Sequence, residues 1–251
     1  MLKLKRKAKL FVLAGVISAI CLVTLYTFGA ITAQSQRQSK QSTEAQPTPL
    51  PTVDYSALEP SSREELSIRR ARSGRHNQRP LNVRELPPDI EQLPATNHFW
   101  WGLSSIPTNQ SDVVIVGEVN AAHAYLSNDK TGVYSEFTVQ VQQILKAPVG
   151  IGPTSIVAER LGGAVRFPSG RIIRYEIYNQ GMPSVGRRYL LFLRRNNEGD
   201  DFSVLTGYEL RNGRVVPLDN VEGLFTEYED WSEAAFHNLV TTTIRREATI
   251  K

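Results

Sequence analysis

The chain has 251 residues, 41% apolar and 22% charged, with a formal net charge of +4; that is ordinary globular composition, enough for one or two domains. Residues 1–9 alone carry five Lys/Arg and no acid. The basicity therefore belongs to the tip, the rest is close to neutral, and the broad positive field of a nucleic-acid reader is missing.

Lys3, Lys5, Arg6, Lys7 and Lys9 precede Leu10 to Ala33, which holds no charged side chain. As a helix rising about 1.5 Å per residue it would reach ~36 Å, against a hydrocarbon core of about 30 Å. The basic tip would stay in the cytoplasm and the remainder would lie outside it, single-pass in the cell membrane. A cleaved signal peptide and a secreted product is the competing reading, with Ile31-Thr32-Ala33 a poor cleavage site and the apolar run longer than the ~7–15 residues of such peptides. Ile20 ahead of Cys21 departs from a lipobox. Cys21 is the sole cysteine, so an internal disulfide and a multi-cysteine zinc site are both excluded.

Residues 34–95 read as a disordered tether. Gln, Ser and Thr dominate at first, Pro47 to Pro51 follow, and mixed charge with Pro60, Pro80, Pro87, Pro88 and Pro94 comes after. Such composition leaves little apolar surface to offset the entropy of ordering. Arg69, Arg70, Arg72, Arg75, Arg79 and Arg84 form a basic cluster in it, read as a solvated run. Ser62 to Ile68 has the makings of a turn or two of helix.

The texture changes at Asp112. Val113 to Val119 is a near-continuous apolar strand, and Asn128 to Gly132 turns into a strand over 133–146, where Phe137, Val139 and Val141 alternate with Thr138, Gln140 and Gln142. The apolar parity flips at Ile144, which predicts a β-bulge at Gln142-Gln143. Further strands are predicted over 154–161 and 171–178. Arg187-Arg188-Tyr189-Leu190-Leu191-Phe192-Leu193-Arg194-Arg195 carries five apolar residues between paired arginines, short enough to be a strand covered on both faces. Tyr189, Leu191 and Leu193 should point one way, and Leu190 and Phe192 the other, beneath a C-terminal helix. Phe202 to Thr206 is the next strand, and Asn212-Gly213 marks a type I′ hairpin. Trp231-Ser232 then opens an amphipathic helix whose stripe is Phe236, Leu239, Val240 and Thr243, with Trp231 placed to staple onto Phe236. These elements predict a mainly β domain over 96–227, a small closed barrel of about seven strands, with residues 228–251 as its docked helix.

Asp112 to Val119, Tyr134 to Lys146, the Val185 to Leu193 stretch, the later hairpin and the Trp231-Ser232 helix resemble, in order, the elements of netrin-like domains, the OB-fold barrels that include tissue inhibitors of metalloproteinases. The resemblance covers residues ~108–245 and implies an OB-like barrel. The inhibitors of that family chelate a protease zinc through an N-terminal cysteine and rely on disulfides; residues 96–251 contain no cysteine, so that chemistry does not carry over. Uncharacterised exported bacterial barrels are similar in texture and imply no activity.

No catalytic or metal constellation stands out, and no cofactor is expected. His76, His98, His123 and His237 are dispersed; His76 and His237 read as solvated, and His123, near the end of the first strand, as the best candidate for proton transfer or binding. Glu118, in an apolar strand, must either be paired, with Arg160, Arg174 or Arg188 as candidate partners, or lie at an exposed edge. Gly181 to Gly186 misses the nucleophile-elbow spacing and is a turn. Asn196 to Asp201 lacks calcium-loop spacing and is a hairpin loop. Phe99, Trp100 and Trp101, where tether meets barrel, are candidate binding residues: a plug on the barrel, a recognition platform, or a membrane-interface anchor, the last disfavoured by the length of the tether. The expected function is a membrane-tethered extracytoplasmic binding or scaffolding module, contacting the bilayer through residues 10–33 and a protein or glycan outside the cytoplasm, but no nucleic acid. A hydrolase with an unrecognised site and an oligosaccharide-binding barrel are the alternatives. If 10–33 is a retained anchor, the mature protein keeps its basic tip and resists carbonate extraction; a soluble species starting near Gln34 would show cleavage instead.

Overall fold

A computed structural model describes residues 49–78, 81–148, 154–197 and 200–250. The expected membrane segment, and the tether as far as residue 48, lie outside these residues. No helix among those described is long and apolar enough to cross a membrane.

The described chain is mainly β, with ten strands; eight of them lie within 96–227, where a closed barrel of about seven was expected. Five of them close a barrel: β3 (Val113–Leu126), β4 (Val133–Lys146), β5 (Ser155–Leu161), β8 (Arg188–Arg195) and β9 (Asp201–Arg211). β3 pairs antiparallel with β4 and β8, β4 with β5, and β8 with β9, while β5 and β9 run parallel and complete the ring. The register between β3 and β4 skips a residue where Val116 faces Gln143 and Gly117 faces Val141. The bulge expected from the parity flip is therefore present, with Gln142 as the extra residue. β10 (Arg214–Pro217) extends β9 through the Asn212-Gly213 turn, where φ is 54° and 72°, the two positive values a type I′ hairpin demands.

β8 divides its side chains as its sequence predicts. Tyr189, Leu191 and Leu193 join Val113, Ile115, Val119, Phe137 and Val139 inside the barrel. Leu190 and Phe192 face outward into a second core with Tyr208, Phe236 and Val240, the last two from the C-terminal helix α2 (Glu233–Ile250). Ser232 caps that helix, accepting a hydrogen bond from the Ala235 amide. The expected staple is corrected in one particular: the rings against Phe236 are Tyr208, at 4.6 Å, and Tyr228, at 5.3 Å, and Trp231 sits edge-on behind Tyr228 at 5.1 Å.

Part of the stretch that composition assigns to a tether is ordered. It holds β1 (Thr52–Asp54), α1 (Arg63–Gly74) and β2 (Gln92–Ala95). β1 and β2 add in parallel to the two outer edges of a hairpin made by β6 (Gly163–Arg166) and β7 (Ile172–Ile177), giving a four-stranded sheet in the order β1-β6-β7-β2. Its core takes Leu81, Val83 and Leu86 from the segment after α1, packed with Val165, Phe167, Ile173 and Tyr175. The chain passes from barrel to second sheet at Gly162-Gly163, with φ of 109° and 150°. A Cβ on Gly162 would lie 2.7 Å from Met182 Cε, and one on Gly163 would lie 3.0 Å from Ser135 Oγ, so this corner requires glycine on both counts.

Leu191 is fully buried and serves the barrel core. Leu191→Ala should cost about 2–5 kcal/mol of the roughly 5–15 kcal/mol typical of a domain. A melting temperature within a degree or two of wild type would show β8 to be peripheral.

Candidate functional site

The largest gathering of ionisable side chains lies where α1 meets the outside of the barrel. α1 begins at Ser62, whose Oγ accepts from the Glu65 amide, and carries Glu64 and Glu65 in its first turn, both favourable at a helix N-terminus. Arg69, Arg72, Ser73 and His76 follow at spacings of three and four, which puts them on one face. That face meets β4, β5 and the start of β9, whose Glu136, Glu159 and Asp201 are 7%, 3% and 1% exposed.

The pairing is dense. Glu136 accepts from Arg69 Nη1 at 2.6 Å and from Arg72 Nη1 at 3.1 Å. Glu159 is held bidentately by Arg75, at 3.1 and 2.8 Å, and Arg75 also donates to Asp201. Asn196, from the β8–β9 loop, donates to Glu159 at 3.1 Å and to Asp201 at 2.9 Å, and accepts from Ser203. Tyr134 stands among them: its hydroxyl meets Ser73 at 3.0 Å and Arg69 at 3.1 Å, and its ring stacks on His76 at 4.1 Å. Burial pushes the Tyr134 hydroxyl up to about 12. Burial alone would also raise the Glu159 carboxyl, but the His76 ring beside it and the two hydrogen bonds and charge of Arg75 outweigh it and hold the group below its ordinary value.

Glu136 and Glu159 accept from arginine on both oxygens, Asp201 accepts from Arg75 and Asn196 on one, and the helix covers them. The arrangement suits a latch between α1 and the barrel, not proton transfer to a substrate. His76, expected to be solvated, is instead 7% exposed and 3.5 Å from Glu159; its ring completes the contact of α1 with Tyr134. The expectation that Arg69, Arg72 and Arg75 form a solvated run is corrected in the same way, since each pairs with a buried acid. Sequence reasoning passed over this cluster. The available signal was the helical spacing of Arg69, Arg72 and His76, together with carboxylates at strand positions otherwise suited to burial.

The residues singled out from sequence are placed elsewhere. Phe99 packs against the core of the second sheet, with the Arg160 guanidinium 5.2 Å over its ring. Trp100 meets Phe99 edge-on at 5.0 Å. Trp101 is 83% exposed, and with His98, Trp100, Gly102, Leu103 and Leu224 it lines an open hollow of ≈ 420 Å³. His123 is exposed on β3, in register with Glu136, and takes no part in that lining. Glu118 forms no ion pair among the described residues. Its expected partners are committed elsewhere: Arg160 to Asp219, Arg174 to Glu176 and Arg188 to Glu233. His237, half-buried, lies 3.1 Å from Gln143. Among the described residues no three His, Cys, Asp or Glu side chains are arranged to hold a metal ion.

Two further hollows flank α1. One, of ≈ 360 Å³, is walled by Val53, Tyr55, Leu58, Leu66 and Tyr125. The other, of ≈ 720 Å³, lies between α1 and the β8–β9 connection. No family model and no curated protein matches the chain.

Because Glu159 sits below its ordinary value of 4.5 when docked, its contribution to holding α1 is present above that pH and is lost as pH falls through the lower folded value. Hydrogen exchange over residues 63–78 should therefore quicken in acid before the barrel strands lose protection, and Glu159→Gln should blunt that acid response. Equal acid sensitivity in both proteins would mean the latch does not titrate through Glu159.

Proposed function

We propose that the protein is a non-enzymatic binding or scaffolding module, anchored in the membrane by residues 10–33, with an OB-like barrel carried outside the cytoplasm. Five strands closing in the order β3-β4-β5-β9-β8, with one parallel pair, support the barrel reading. OB barrels take ligands on the outer face of their second and third strands. Here those strands are β4 and β5, and α1 already covers that face through Glu136 and Glu159. A partner is therefore met on surfaces that stay open.

The exposed Trp101 indole in its hollow carries the reading. A large aromatic side chain left in water beside Trp100 and Leu224 fits recognition better than packing. The expected plug and platform are then divided between neighbours, Phe99 serving the core and Trp101 the surface. The flat, adjacent rings of Trp100 and Trp101 also favour a glycan partner, the oligosaccharide-binding alternative.

Two substitutions separate these roles. Trp101→Ala should leave the melting curve unchanged while removing capture of the extracytoplasmic partner. Phe99→Ala should lower stability by less than the ~3–5 kcal/mol of a fully buried Phe, because its ring is only partly enclosed. Undiminished capture by Trp101→Ala would remove this hollow from the binding surface.

A further inference from the structure

The groove between α1 and the β8–β9 connection has a lining unlike the rest of the surface. Arg70 and Arg75 stand on the α1 side and Arg194 and Arg195 on the β8 side, with Asn196, Asn197 and Ser203 adding amide and hydroxyl groups. Among the described residues no carboxylate lines it. The acids that neutralise these arginines lie behind them or away from the groove: Glu159 and Asp201 are buried beneath Arg75, Glu59 pairs with Arg70, and Asp200, 97% exposed, pairs with Arg195. Arg194 is exposed and makes no ion pair among the described residues.

We propose that this groove is a binding site for an anion carrying two or more linked or clustered phosphoryl groups. The ligand class follows from the disposition of the donors. A planar carboxylate presents two oxygens in one plane, as Glu159 does to Arg75 and Asn196. Guanidinium groups approaching from two opposite walls suit the tetrahedral oxygens of phosphate, which accept from several directions at once. Arg75 is fixed by its bonds to Glu159 and Asp201. Arg70, Arg194 and Arg195 are long, exposed and held at most by solvent-facing carboxylates, pairs of little strength that a ligand displaces readily. A volume of ≈ 720 Å³ admits more than one phosphoryl group. The near-neutral charge of the whole chain beyond its tip favours a compact anion over a nucleic acid, which would need a basic surface many residues wide. The site goes beyond the recognition surface assigned to Trp101 and does not depend on it.

The test uses the full chain in nanodiscs of neutral lipid, titrated calorimetrically with tripolyphosphate at low ionic strength, where exposed charges are least screened. Citrate serves as the carboxylate control, and phosphatidylglycerol vesicles offer the same chemistry as a headgroup. Arg194→Ala with Arg195→Ala removes the β8 wall while leaving the buried latch intact. It should weaken tripolyphosphate or vesicle binding at least tenfold with no change in melting temperature. Lys130→Ala, on the opposite side of α1, should have no effect. Tripolyphosphate binding assigns the site to a soluble ligand, and vesicle binding alone assigns it to a headgroup. Citrate binding as strongly as tripolyphosphate, binding of neither phosphate probe, or equal loss in Lys130→Ala would overturn the proposal.

Discussion

Barrel closure through β8 is the constraint on which the remaining architecture depends. This strand is hydrogen-bonded along both edges, to β3 and to β9, so no unpaired edge is left there to recruit another chain. Its five apolar residues are 0–2% exposed and alternate between the interior and a second core outside. A strand that is apolar on both faces must be covered on both. α2 supplies that cover through Phe236 and Val240, and the aromatic set of Tyr208, Tyr228 and Phe236 fixes where the helix lies.

The opposite flank of the barrel is covered by different physics. α1 brings arginines to meet Glu136, Glu159 and Asp201, and a contact made of charge has a large desolvation cost that only good geometry offsets. The bidentate grip of Arg75, the two arginines on Glu136 and the Asn196 amide meet most of that requirement, while Asp201 Oδ1 faces Arg72 Nε only at 3.7 Å. A pair of this kind does little for net stability compared with a well-packed apolar contact, yet it fixes register, since an arginine displaced by one turn would leave a buried carboxylate unpaired. The same requirement acts at Arg160, 4% exposed, whose two terminal nitrogens meet Asp219 at 2.7 Å and whose remaining bonds go to the carbonyls of Gly181 and Leu205. It ties the β5 end to β9, to the segment after β10 and to the segment preceding β8.

The apolar part of this plan was legible in the sequence. Alternation in β8, the bulge at Gln142, the Asn212-Gly213 turn and the stripe of α2 all follow from local rules that act over a few residues. The polar part was not. α1 has almost no apolar stripe, and its contact surface is made of arginines that look like a solvated run until their partners, 64 to 126 positions away, are known. β1 is three residues long, and β2 contains Pro94, which is tolerated because β2 is the edge of its sheet. β6 is four residues beginning at a glycine that composition reads as a turn. Of the aromatic triplet, the sequence gives no hint that Phe99 turns inward while Trp101 remains in water, because that division depends on where the second sheet lies.

The distance along the chain between α1 and its partners has a consequence for assembly. A twelve-residue helix rich in arginine is marginal in isolation, and its docking face spans β4, β5 and β9, so α1 has nothing to bind until the barrel has closed. β1 and β2 likewise wait for the β6–β7 hairpin whose edges they extend. Residues 49–95 are synthesised ahead of the barrel strands, yet their docking needs contacts of high sequence separation that the barrel supplies. The dependence runs one way: residues 49–95 need the barrel and the β6–β7 hairpin in order to dock, and neither of those is built from them.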